Sequence, residues 1–221
     1  MEDLFYLLLI ILITVIPQII VRNTYEKYSN IKVNSIKNGE DIVREMLYSN
    51  GINDVSVNKI GGELTDHYDH RRKEINLSIS NFENPTVASI AVAAHETGHA
   101  IQDNKGYFFL RLRQAMGSSA IIASKLSWTF VYLGFIMYFA PLIWIGVIML
   151  GVVVAFDFVT LPVEINASKR AKQYLVSTGR YSTEEIEGVS KVLTAAAFTY
   201  VAVTLAGVLQ LLRLLRRLNR D

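Results

Sequence analysis

Residues 91–102 read Ala91-Val92-Ala93-Ala94-His95-Glu96-Thr97-Gly98-His99-Ala100-Ile101-Gln102. The run is rich in alanine, and its first half is apolar, which predicts a helix. Residues four apart on a helix share a face, so both imidazoles can point at one metal ion. Glu96 follows His95 at the edge of that face, where a carboxylate can take a proton from an attacking water. Two solvated histidines would sit poorly between Ala-Val-Ala-Ala and Ala-Ile. The pattern therefore predicts a metal-dependent hydrolytic site, with one Zn2+ per chain as the expected cofactor.

The chain has 4 His and no Cys, so any metal must be held by His, Asp or Glu. A catalytic zinc takes three protein ligands and keeps an open position. Six residues beyond His99 stands Lys105. Asp103 lies eight residues past His95, about 12 Å further along the same helix, and cannot share the ion. Glu184, Glu185 and Glu187 follow Ser182-Thr183, an N-cap signal, and suit a helix N-terminus. Asp221 is a chain end expected to be mobile, so Asp157 and Glu164 remain, and Glu164 is the expected third ligand. Pro162 precedes it by two residues, and 164–175 reads as a helix whose Ala167 and Ala171 permit close packing. Asp157 is expected either to receive the second ring N–H of a ligating histidine or to sit as a helix-end carboxylate near the headgroups. His67 and His70 fall in a charged turn, with His67 either solvated or reaching the site to stabilise an oxyanion or orient a ligand.

Hydrophobic residues make up 51% of the chain and gather in three blocks, 4–21, 117–161 and 192–212. About 20 residues cross a bilayer. Acidic Glu2 and Asp3 precede the first block, while Arg22, Lys27, Lys32 and Lys37 follow it. That is the reverse of a secretory leader and reads as an uncleaved anchor with a cytoplasmic C-terminal side. The second block is long enough for two arms, divided at Pro141. A hairpin returns Glu164 to the side of His99, as a shared ion requires. The third block is weaker, and Arg213, Arg216, Arg217 and Arg220 follow it. A fourth crossing would carry those arginines outside, whereas a helix held at the cytoplasmic face would not, and both readings stand. The net charge of +2 gives no case for nucleic acid.

Between the blocks, 38–50 has the pattern of an amphipathic helix closed by Gly51. Residues 54–60 and 74–80 alternate as strands that could pair antiparallel. Asn84-Pro85 reads as a helix start, with Asn as N-cap and Pro at the first helical position.

Three stretches together carry a family resemblance: Leu64-Thr65-Asp66-His67-Tyr68-Asp69, the run 93–102, and Leu161-Pro162-Val163-Glu164-Ile165-Asn166-Ala167-Ser168. The chain resembles the YugP-like membrane zinc metallopeptidases, bacterial neutral zinc peptidases distantly similar in site layout to HtpX-type membrane proteases. The resemblance covers nearly the whole chain, with one departure at His70, where the family pattern has proline. It implies His95 and His99 as zinc ligands, Glu96 as catalytic base, and the downstream Glu164 as third ligand.

The expected fold is α+β and mostly helical, a small cytoplasmic zincin-like domain with a small β-sheet beside the metal-binding helix, joined to three or four membrane helices. The expected organisation is an anchor over 1–21, a catalytic domain over 22–116, a transmembrane hairpin over 117–161, a cytoplasmic helical segment over 162–191, and a hydrophobic helix with an Arg-rich tail over 192–221. The expected protein is a multi-pass integral protein of the bacterial cytoplasmic membrane. It would hydrolyse peptide bonds of membrane or membrane-proximal proteins, with the lipid bilayer and a peptide or protein substrate as its partners. Two alternatives are an intramembrane protease of the site-2 kind and a non-catalytic scaffold stabilised by zinc. The apolar run before His95 is short for the first, and Glu96 has no purpose in the second.

Overall fold

The computed structural model describes residues 2–218, so Arg220 and Asp221 of the tail lie outside the described residues. The elements in chain order are α1 (Glu2–Ser29), α2 (Gly39–Ser49), β1 (Ser56–Ile60), β2 (His67–Asp69), β3 (Glu74–Ser78), α3 (Ile79–Glu83), α4 (Val87–Asn104), α5 (Phe108–Ile136), α6 (Ala140–Ser177) and α7 (Thr183–Leu218). The fold is α+β and mostly helical, with one three-stranded sheet. Helices α1, α5, α6 and α7 are long and apolar enough to cross a membrane. The chain forms two compact units, one of Ile19–Tyr107 and Val163–Phe198, the other of Met1–Gln18, Phe108–Pro162 and Thr199–Asp221.

The first of these units holds the sheet, in the order β1-β3-β2. Strands β1 and β3 pair in parallel, Ser56 opposite Glu74 through Ile60 opposite Ser78. This corrects the expected antiparallel pair. The reason is β2, which lies between them in sequence and runs antiparallel to β3 with His67 opposite Asn76. One extra reversal of the chain makes its neighbours parallel. It also places His67 in a strand and not in a charged loop. As the central strand, β3 is covered on both faces: Ile75 and Leu77 are fully buried, and so is Ser78.

The strand ends at Ser78, two residues earlier than its alternation suggests, because Asp66 takes over its end. The Asp66 carboxylate accepts from Ser78 N at 2.7 Å, from Ser78 Oγ at 3.1 Å and from Asn81 Nδ2 at 2.9 Å, and α3 starts at once. Helix α2 carries the amphipathic face expected over 38–50. Asn38 and Asp41 form a reciprocal capping box, and Ile42, Val43, Met46 and Leu47 enter the core. Gly39 allows α2 to rest on α3, since a Cβ there would overlap Asn81 O.

Helix α4 is capped by Thr86, whose side chain accepts from Ser89 N, and not by Asn84. Pro85 thus lies before the cap, where its carbonyl accepts from Val33 N at 2.9 Å. From Val87 to Gln102 nearly every residue of α4 is buried, which explains its small, apolar composition. The last turns of α1 close the core through Tyr25 and Tyr28, and Tyr25 Oη donates to Asn81 Oδ1 at 2.9 Å. Ala171, Leu175, Val189 and Val192 of α6 and α7 complete it.

In the other unit α5 and α6 form a tight helical hairpin. Its turn falls at 137–139, with Tyr138 in the left-handed region at φ 52°, and Pro141 lies in the first turn of α6 and not at the division. Small residues let the arms touch: a Cβ on Gly146 would come within 2.6 Å of Ser127 O, and one on Gly134 within 2.7 Å of Ile143 N. The expected helix opening near Pro162 is also corrected. Pro162 lies inside α6, which continues unbroken from Ala140 to Ser177. A proline removes one backbone donor but need not break a helix whose neighbours restrain it. Asp157 and Glu164 therefore belong to one helix.

Candidate metal centre

Helix α4 supplies two imidazoles one turn apart, with ring centroids 4.7 Å apart and planes at 85°. Helix α6 supplies a carboxylate. Glu164 Oε2 lies 3.3 Å from His95 Nε2 and 3.5 Å from His99 Nε2, and all three residues are shielded from solvent. One ligand atom from each falls within 4.8 Å of the other two.

These distances can be tested against the metal they suggest. Donors held about 2.0–2.1 Å from a tetrahedral ion stand about 3.3–3.4 Å from one another. A charge-assisted hydrogen bond between imidazolium and carboxylate would draw them in to about 2.7–2.9 Å. The observed separations match the first case. Two nitrogens and one oxygen also suit zinc chemically.

The imidazole tautomers point the same way. Gln102 Nε2 donates to Val163 O at 2.7 Å and to Asn166 Oδ1 at 3.0 Å. That commits its amide nitrogen and leaves Oε1, at 3.0 Å, to accept from His99 Nδ1–H. With the proton on Nδ1, the Nε2 lone pair of His99 faces Glu164. His95 Nδ1 lies 3.2 Å from Ser168 Oγ, which can accept in the same way. Gln102 and Ser168 stand where one of the two readings of Asp157 had put that carboxylate. Ser168 stands one turn beyond Glu164 on α6. One stretch of helix thus brings the carboxylate, Ser168, and the Val163 and Asn166 groups that orient Gln102.

The approach of α4 to α6 depends on Gly98. A Cβ there would lie 2.8 Å from Ala167 O and 3.1 Å from Ala167 Cα, contacts that fixed backbone cannot relieve. Ala167 and Ala171 are both fully buried, so the close packing expected of them is present.

Glu96 is 9% exposed. Its burial pushes the carboxyl up to about 7, against the pull of His95 and with the added repulsion of Glu164 and Asp66. A carboxyl of that kind exchanges protons near neutral pH.

His67 sits on edge strand β2, where Nδ1 donates to Thr65 O at 2.8 Å and Nε2 lies 3.3 Å from Asn76 Nδ2. Its charge is felt at Glu96, but both ring nitrogens have protein partners. Asp157 belongs to the other unit, beside a cavity of about 200 Å3 lined also by Ser124, Ser127 and Gln210. The structure thus brings His95, His99 and Glu164 together and leaves Asp157 and His67 with other neighbours. Asp103, excluded from the ion by helix geometry, pairs with Tyr68 Oη at 2.8 Å and with Lys73. Gln102 and Ser168 escaped the sequence reading. The trace each leaves is its spacing, three residues after His99 and four after Glu164.

Comparisons with known proteins agree with this chemistry. The chain is 40% identical over 193 residues to a Bacillus subtilis (strain 168) protein named "Putative membrane protease YugP", covering 87% of this chain and 86% of that one. No solved structure matches. Residues 4–219 match the family described as "Putative neutral zinc metallopeptidase", and the chain belongs to that family.

Proposed function

We propose that the protein is a membrane-embedded zinc endopeptidase in which His95, His99 and Glu164 hold the metal and Glu96 is the general base. The observation that carries this reading is the convergence of three ligand atoms at metal-ligand spacing, those of His99 and Glu164 buried and that of His95 partly so. Bound zinc supplies Lewis acidity and makes water a better acid. The chain's own residues do the rest. Gln102 and Ser168 hold the imidazoles in the tautomer that offers Nε2. Glu96 accepts the proton of the attacking water on its carboxylate and hands it to the departing amine, a cycle favoured by a carboxyl that titrates near 7. The shallow sheet beside α4 presents edge strands on which an extended peptide can add backbone hydrogen bonds.

The family and its membrane-protease relative support a peptidase acting at a membrane. Basic Arg22, Lys27, Lys32 and Lys37 after the apolar part of α1 support a cytoplasmic site, and the α5–α6 hairpin supplies the even number of crossings that orientation needs. An intramembrane site is disfavoured because α4, which carries both histidines, is not among the four helices apolar enough to span. A structural zinc is disfavoured by the buried Glu96.

The test is zinc content together with cleavage of a generic unfolded protein. Wild type should hold one zinc per chain and cleave, and Glu96→Gln should keep the zinc yet cleave roughly 100- to 10,000-fold more slowly. Near-normal cleavage by Glu96→Gln would show that Glu96 is not the general base.

A further inference from the structure

We propose that the groove lined by α1, α6 and α7 binds the phosphodiester headgroup of an anionic glycerophospholipid. These parts of the three helices belong to the unit that holds the sheet, and they enclose an open groove of about 790 Å3. Such a volume suits a headgroup and the first methylenes of its chains.

The groove has a charged end and an apolar end. Lys27 of α1, Lys172 of α6 and Lys191 of α7 line it, against the carboxylate of Glu187, so its side chains carry a net charge of +2. Elsewhere in this unit Lys37, Lys59 and Lys73 are matched with carboxylates, whereas Lys32, Lys105 and Lys169 are not and do not line this groove. Among the described residues, Lys27, Lys172 and Lys191 have no carboxylate within 4.0 Å. Three cations from three helices facing one space repel one another, and an anion between them relieves that repulsion.

The helical spacing selects a lipid over a free anion. Ile20 stands seven residues before Lys27 on α1, and Phe198 stands seven residues after Lys191 on α7. Seven residues make two turns, so each apolar side chain lies on the face of its lysine, about 10 Å away along the axis. In each helix the apolar partner lies toward that helix's own apolar stretch, N-terminal to Lys27 in α1 and C-terminal to Lys191 in α7. A free phosphate has no use for that second end. A lipid crosses the same distance from phosphate to acyl chain. Basic pockets between helices at the cytoplasmic face are suited to such headgroups. The inference rests on the cytoplasmic orientation proposed above, and not on zinc or catalysis.

Binding should be measured on full-length protein in zwitterionic detergent, by native mass spectrometry of retained lipid. Phosphatidylglycerol should be retained at least 10-fold more strongly than phosphatidylcholine with the same chains. The variant Lys172→Gln/Lys191→Gln should weaken phosphatidylglycerol retention by roughly 10- to 30-fold. Its zinc content should be unchanged, which separates this result from any failure of the metal site. Phe198→Ser, with all three lysines present, should also reduce retention. Equal retention of the two lipids would overturn the proposal. So would undiminished phosphatidylglycerol binding by the double variant, or full displacement of lipid by millimolar inorganic phosphate.

Discussion

Gln102 Oε1 accepts the Nδ1 proton of His99 at 3.0 Å, because the Gln102 amide nitrogen is already committed to Val163 O and Asn166 Oδ1 on α6. A residue that touches neither substrate nor ion thereby sets which nitrogen of His99 is available. Gln102→Ala should weaken zinc retention by about 10- to 100-fold, the usual cost of losing such a partner. Metal content after dialysis against graded chelator checks it, and unaltered retention would deny Gln102 this role.

The third ligand is separable from its neighbour on α6. Glu164→Ala should empty the site, whereas Asp157→Asn should leave zinc content at the wild-type level, since Gln102 and Ser168 serve the imidazole N–H groups. If Asp157→Asn empties the site and Glu164→Ala stays loaded, the two roles must be exchanged.

Gly98 is predicted to be irreplaceable for a reason unrelated to chemistry. Gly98→Ala adds one methyl group against the Ala167 backbone, and overpacking of this kind costs about 1–3 kcal/mol. It should also push α6 from α4 and so part Glu164 from the histidines. Thermal stability and zinc content should both fall. A variant of normal stability that is fully loaded would show that the two helices can separate without harm.

Asp66 organises the end of the sheet. Asp66→Asn keeps the shape but replaces one acceptor oxygen with a donor facing Ser78 or Asn81. It should lower stability by about 1.5–3 kcal/mol, the range for hydrogen bonds to a charged group. Denaturant unfolding in detergent measures this, and a change below about 0.5 kcal/mol would show that the cluster is replaceable by solvent.

Local chemistry made much of this protein legible before any coordinates. Residue spacing alone put His95 and His99 on one helical face, because the period of an α-helix is fixed by its backbone. Runs of apolar residues marked the long helices, since about 20 of them match a bilayer. The cap at Ser182 was visible because capping uses residues within one turn.

Tertiary structure decided what depends on residues distant in sequence. Whether β1 and β3 run parallel turned on β2, three residues too short to show a clear alternation. Whether Pro162 breaks a helix turned on the neighbours around it, which no local window contains. The partners of the imidazole N–H groups came from helix packing. Ser168 reaches His95 across 73 positions of sequence, and Val163 and Asn166 fix Gln102 across more than 60. The sequence determined which side chains could hold a metal. The contact of Gly98 with Ala167 decided that they meet, because there the backbone of α6 comes close enough to α4 to carry Glu164 to the two histidines.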